Sequence, residues 1–150
     1  HISLKQPFTI EDLPRLEAYC DELAAQITPF TVELNEFYAD AWNGYGLLGL
    51  RVVETSTLRD LHNRLNCQLS QLFTDSSAPH DGDAYRFHLT IEMGDVGETN
   101  PYRAYYESLA EKKVHLSFQA EQLGLFYSAV EQSRYMLYKV IPLSGQGEPG

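Results

Sequence analysis

Basic residues are scarce in this chain. Lys and Arg number 11 against 21 Asp and Glu, for a formal net charge of -10. That balance excludes proteins that wrap long nucleic acid, because such binding draws on Lys and Arg neutralising phosphates. A small phosphorylated ligand, or an RNA end held in a locally basic cleft, is compatible with it. Cysteine is nearly absent as well. Cys20 and Cys67 have neither redox nor metal spacing, and both fall on apolar positions of predicted helices. They read as buried thiols of a reducing compartment, which makes the cytoplasm the expected location. No apolar run approaches the ~20 residues of a membrane span, and no signal-peptide pattern opens the chain. A membrane partner is not expected, and no feature speaks for a particular oligomeric state. With 150 residues, 43% hydrophobic and 21% charged, the chain has the make-up of one globular domain large enough for a real core.

What is present centres on Tyr85-Arg86-Phe87-His88-Leu89-Thr90-Ile91. Strand alternation puts His88 and Thr90 on one face and Tyr85, Phe87, Leu89 and Ile91 on the other, which is apolar enough to bury. A core strand has little use for a His and a Thr on its second face unless that face lines something wet. His1-Ile2-Ser3-Leu4 repeats the pattern 87 residues earlier, and His115-Leu116-Ser117-Phe118 supplies a third H-x-[ST]-x. The third sits in an alternating strand whose polar face is simply solvated, so it is set aside.

Taken in order, His1–Lys5 reads as a strand. A helix follows from about Asp12, with Pro14 in its first turn and Leu13, Leu16, Cys20, Leu23 and Ile27 on one face. Phe30–Leu34 is a strand, Glu36–Tyr45 an aromatic irregular stretch whose rings are read as core, and Leu47–Val53 a buried strand. Thr55 or Ser56 caps the next helix, with Leu58, Leu61, Leu65, Leu69 and Leu72 buried and His62 at the boundary of that stripe. A polar loop, 74–84, leads into the His88 strand, and Glu92–Gly97 is a second loop. Asn100-Pro101 starts a helix whose buried side carries Tyr102, Tyr105 or Tyr106, and Leu109. The alternating segments Val114–Gln119, Glu121–Tyr127 and Tyr135–Ile141 complete the fold, and residues 144–150 read as a flexible tail. The two halves share a plan of H-x-[ST]-x strand, helix, then a strand opening on Phe30 or Phe118. Such duplication can set two copies about a pseudo-twofold axis, both histidines looking into one cleft.

Two histidines at one site suit general acid–base catalysis at a phosphodiester, with the hydroxyls of Ser3 and Thr90 holding phosphate oxygens. No metal or other cofactor is required. At these residues the chain resembles a family: His1-Ile2-Ser3-Leu4 and His88-Leu89-Thr90-Ile91, in this strand–helix order, look like the two-histidine phosphoesterases. The segment running on through Lys5-Gln6-Pro7-Phe8 is especially similar to the bacterial 2′-5′ RNA ligase-like branch. The resemblance spans roughly residues 1–143 and implies an α/β (α+β) fold of duplicated strand–helix–strand units, bilobal, with antiparallel-rich sheets around a central cleft. It implies action on 2′,3′-cyclic phosphates or 2′-5′ linkages of RNA ends or small nucleotides, with His1 and His88 catalytic and Ser3 and Thr90 on the phosphate. The family carries a strand and usually a helix ahead of its first motif, so an N-terminal piece is expected to be missing from the sequence. Arg86 shares the His88 face, Lys5 continues the face of His1 and Ser3, and Tyr127 alternates toward the same cleft; each is a candidate cleft contact.

Two other classes compete. His80, Asp81, Asp83 and His88 have the ligand types of a divalent-metal hydrolase, although Asp81-Gly82-Asp83 also reads as an ordinary turn. A binding module for a nucleotide or RNA end would keep the fold without turnover.

Overall fold

The first helix begins where the sequence says it should. Asp12 caps α1 (Leu13–Ala24) by accepting the Arg15 amide at 3.0 Å, and Pro14 lies in the first turn, where its missing N–H costs nothing. The computed structural model describes residues 1–42, 44–74, 78, 80–97, 100–109, 111–128 and 135–146. Its further elements are β1 (Phe30–Trp42), β2 (Tyr45–Val52), α2 (Ser56–Leu72), β3 (His88–Asp95), α3 (Pro101–Leu109), β4 (Leu116–Ala120), β5 (Gln122–Tyr127) and β6 (Met136–Pro142). This is an α/β fold of repeated strand–helix–strand units with antiparallel sheets. One sheet has the order β3-β2-β1-β4, and a second pairs β5 with β6.

Two compact units divide the chain, residues 1–10 with 32–117 and residues 11–31 with 118–150. In the second unit α1 lays Cys20 and Ala24 against Ile141, with Leu16, Tyr19, Leu123, Leu125 and Leu143 around them. Lys139 of β6 reaches Asp21 at 3.0 Å on the helix. At the start of the stretch expected to be a tail, the Ser144 amide donates to Ala24 O at 3.1 Å and that of Gly145 to Ile27 O at 2.9 Å. Residues 147–150 lie outside the described residues.

In the first unit, Thr55 caps α2 by accepting the Leu58 amide, and Leu58, Leu61, Leu65 and Leu69 are buried. Each such leucine contributes about 2 kcal/mol by leaving water. Cys67 is on the other side of α2 and exposed, which corrects the expectation of two buried thiols. The stripe already fills that helix face, and position 67 lies off it.

The aromatic stretch expected to be irregular is strand. β1 runs through it and pairs with β2 from Leu34↔Val52 to Trp42↔Tyr45, with Gly44 at φ 82° in the connection. Cross-strand glycines make room for rings there. Gly46 pairs with Gly94, and a Cβ on Gly46 would stand 2.2 Å from Tyr102 Cδ2. The buried Tyr102 of α3 therefore occupies space that two side chains would otherwise take, while Tyr105 is exposed.

β3 also differs from expectation. It starts at His88 and continues through Glu92–Asp95, residues read above as a loop. Its register against β2 shifts between Leu48↔Glu92 and Gly49↔Thr90. Ile91 is the extra residue of this bulge, and it is exposed while Tyr85 and Phe87 are buried. A bulge interrupts strict alternation, so the apolar face predicted for Tyr85–Ile91 ends before Ile91.

Candidate active site

Leu89 pairs on one side with Leu50 of β2 and on the other with Ile2, in an isolated antiparallel bridge. Residues directly opposite in an antiparallel pair share a face, and their neighbours share the other. The register through this bridge therefore sets Ser3 beside His88 and His1 beside Thr90, all four on the face opposite to Ile2 and Leu89. The diagonal from His1 to His88 is then roughly 7–8 Å between Cα atoms. Both H-x-[ST]-x copies belong to the first compact unit.

His88 is oriented by its own strand entry. Its Nδ1 lies 3.0 Å from Arg86 O, a carbonyl that can only accept, so Nδ1 carries the proton and Nε2 the lone pair. The Tyr38 ring meets the imidazole edge-on at 5.6 Å. Tyr38 reaches it across Gly49, its partner in β2: a Cβ at Gly49 would fall 2.8 Å from Tyr38 Cε1 and 2.7 Å from Leu89 O. Burial holds the Tyr38 phenol well above the usual tyrosine range, against the opposing pull of Arg51. Arg51 stands opposite His88 in the β2–β3 register and stacks its guanidinium on Tyr38 at 4.7 Å. It also lies 3.6 Å from Glu36, with both side chains substantially exposed.

The first motif is held differently. Tyr85 donates its hydroxyl to Ser3 O at 2.8 Å, and His62 Nδ1 lies 2.8 Å from Leu4 O. Asp81 takes the Lys5 ammonium in a close ion pair and the Gln6 amide at 3.2 Å. His62 is fully buried, not a boundary residue. Its Nε2 accepts the Gly82 amide at 3.0 Å, its ring stacks on Tyr85 at 4.4 Å, and Asn66 lies beside it. A buried imidazole is tolerable only with both nitrogens satisfied, and here Nδ1–H donates while Nε2 accepts. Burial pushes the Tyr85 hydroxyl up to about 12.

One turn before His62 on α2, Arg59 ties down the loop that carries this clamp. It donates to Gly82 O at 2.9 Å and Tyr85 O at 2.8 Å, and its pairing with Glu54 holds that carboxylate below its ordinary range.

The remaining candidates separate. Lys5 is turned to Asp81, with both side chains about nine-tenths buried, and its ammonium also lies 5.2 Å from the Phe8 ring. Arg86 is exposed and donates to Asp83 O at 3.2 Å. Tyr127 belongs to the second unit, on β5, its ring edge-on to Tyr138 at 6.2 Å. His80 is exposed, and among the described residues no three His, Cys, Asp or Glu side chains gather as a metal-ligating group. The metal reading thus lacks a ligand set there, since Asp81 faces Lys5 and Gln6 instead.

Tyr38, Gly49 and Arg51 were not singled out for this face by sequence reasoning, nor was His62 for the clamp on the first motif. The available signal was Leu47-Leu48-Gly49-Leu50-Arg51-Val52-Val53, where a glycine and an arginine two apart interrupt an apolar strand on one face.

No helix among the described residues is long and apolar enough to cross a membrane. No curated protein matches the chain. The family model described as the 2′-5′ RNA ligase superfamily matches residues 1–131, taking in the H-x-[ST]-x copies at His1 and His88, and the chain belongs to that superfamily.

Proposed function

We propose that this chain is a metal-independent phosphodiesterase for 2′,3′-cyclic phosphates or 2′-5′ linkages, at RNA ends or in small nucleotides, working in the cytoplasm. His1 and His88 act as the acid–base pair, and Ser3 and Thr90 hold the phosphate oxygens. The observation that carries this reading is the Ile2↔Leu89 bridge, whose register turns the two motif copies to one face. Superfamily membership supports the same chemistry.

In the hydrolytic step one neutral imidazole takes a proton from water as its oxygen attacks phosphorus. The other, protonated, gives its proton to the ribose oxygen as the P–O bond breaks. The reaction leaves a phosphomonoester and a hydroxyl, and the two imidazoles have exchanged protonation states. His88 works through Nε2, because Nδ1 is committed to Arg86 O. Serine and threonine hydroxyls beside the phosphate stabilise charge that builds on its non-bridging oxygens.

Hydrolysis of 2′,3′-cyclic nucleotides and cyclic-phosphate RNA ends, with and without EDTA, tests the proposal. Chelator-resistant turnover is expected. Turnover abolished by EDTA would overturn the proposal in favour of the metal hydrolase. Nucleotide binding without turnover on any of these substrates would make the chain a binding module.

A further inference from the structure

We propose that Arg51, seated on Tyr38, is a subsite for a second phosphate, one nucleotide step from the scissile one, so that the preferred substrates carry two phosphates. The inference rests on the phosphodiesterase reading above and deepens it.

The argument is one of rows across a sheet. Ser3, His88, Arg51 and Glu36 form one cross-strand row, and His1, Thr90, Gly49 and Tyr38 the next. A phosphate bound between the two motif copies lies between the first-motif segment and β3. Arg51 is on β2, beyond His88. Strands are about 4.8 Å apart, so its Cα lies roughly one and a half spacings, about 7 Å, from that phosphate.

The guanidinium is not poised to bridge this gap. It is held from β1, stacked at 4.7 Å on the Tyr38 ring and drawn 3.6 Å from Glu36. Gly49 is what allows the ring to lie there, since any Cβ would collide with it.

An arginine placed in this way has one evident use. Its planar fork matches phosphate, and stacking fixes its orientation. The Glu36 pair is exposed and long, a contact worth about 0–1 kcal/mol, so an arriving phosphate displaces it at little cost. On a chain of net charge -10, a local cation is also what an anionic substrate needs, and Lys5 is already engaged by Asp81. Tyr38 is then a positioning residue: it acts through Arg51 and contributes its ring, not its hydroxyl.

The test compares adenosine 2′,3′-cyclic monophosphate with a diadenosine dinucleotide ending in a 2′,3′-cyclic phosphate, which adds the internucleotide phosphate. Arg51→Gln is expected to lower kcat/KM on the dinucleotide roughly tenfold or more beyond its effect on the mononucleotide, chiefly through KM, as for loss of a charge-assisted hydrogen bond. Tyr38→Phe keeps the dinucleotide preference, and Tyr38→Leu reduces it. Equal losses on both substrates, or no loss on either, would overturn the subsite while leaving the phosphodiesterase reading intact.

If the wild type turns over neither substrate, that reading fails and the subsite is judged by binding alone. Dinucleotide with a terminal 3′-phosphate should then bind more tightly than adenosine 2′-monophosphate, and Arg51→Gln should erase the difference. An unchanged affinity ratio would overturn the subsite.

Discussion

The two copies of H-x-[ST]-x are alike in sequence and are held by different physics. His88 and Thr90 sit in a main-chain ladder, with β2 fixing their register from Tyr45↔Asp95 to Arg51↔His88. His1 and Ser3 have one isolated bridge. Their segment is instead gripped by side chains, through Tyr85 on Ser3, His62 on Leu4, and Asp81 on Lys5 and Gln6. A motif that makes little strand can still be placed when a loop clamps its carbonyls and its one cation. Part of the clamp, Asp81 and Tyr85, comes from the stretch that precedes the second motif.

The comparison can be broken from either side, beginning with the largest effect. His88→Ala should reduce turnover of cyclic phosphate by about a thousandfold, the range of a lost general acid or base. Its melting temperature should stay near that of the wild type, because His88 is not in the core. A variant with full turnover would remove His88 from the proposal.

Asp81→Ala should act on the first copy alone. It strands the Lys5 ammonium in a site where both partners are about nine-tenths buried, which should cost about 3 kcal/mol in urea unfolding. Backbone NMR shifts should move around Ser3–Gln6 and stay put around Leu50 and Leu89. A change spread equally over both copies would contradict separate anchoring.

The Tyr85 hydroxyl titrates near 10 when unfolded and near 12 when folded. Its raised value favours the protonated form in the folded state, so the stability it contributes is fully present below pH 10 and is lost as pH rises toward 12. Urea unfolding should show a loss of about 2 kcal/mol over that window, and Tyr85→Phe should flatten it. An equally steep decline in Tyr85→Phe would assign the effect to other groups.

Thiol labelling gives the smallest effect. Cys67 is exposed, while Cys20 is buried with its thiol pushed up to about 11. Native protein near pH 8 should take up iodoacetamide quickly at Cys67 and only after unfolding at Cys20. Equal rates would mean that α1 opens away from β5 and β6.

Much of the frame was legible in the sequence because it is local. Asp12 with Pro14, and Thr55 before the leucine stripe, mark helix starts wherever the chain goes afterwards. His88 and Thr90 declare themselves by alternation within one strand. Apart from Cys67, which lies off the leucine stripe of its own helix, the failures are non-local. Residues 36–42 carry no clean period, and become strand because β2 returns alongside them and its glycines receive the rings. Ile91 was assigned inward because a bulge depends on the partner strand. His62 looks like a boundary residue on its helix, and its burial is created by Leu4 and Gly82, which are 58 and 20 residues away in sequence. Arg51 and Tyr38 are ordinary as single residues, and only the register joins them to His88.

The central claim is that both motif copies face one phosphate, and five histidines make it directly observable. Adenosine 2′-monophosphate should be titrated into protein with 15N-labelled imidazoles, following His1, His62, His80, His88 and His115 together. The account predicts that the His1 and His88 signals move with a single shared dissociation constant, while those of the clamp residue His62 and of the exposed His80 and His115 hold still. Movement of His88 without His1, or of neither, would contradict it.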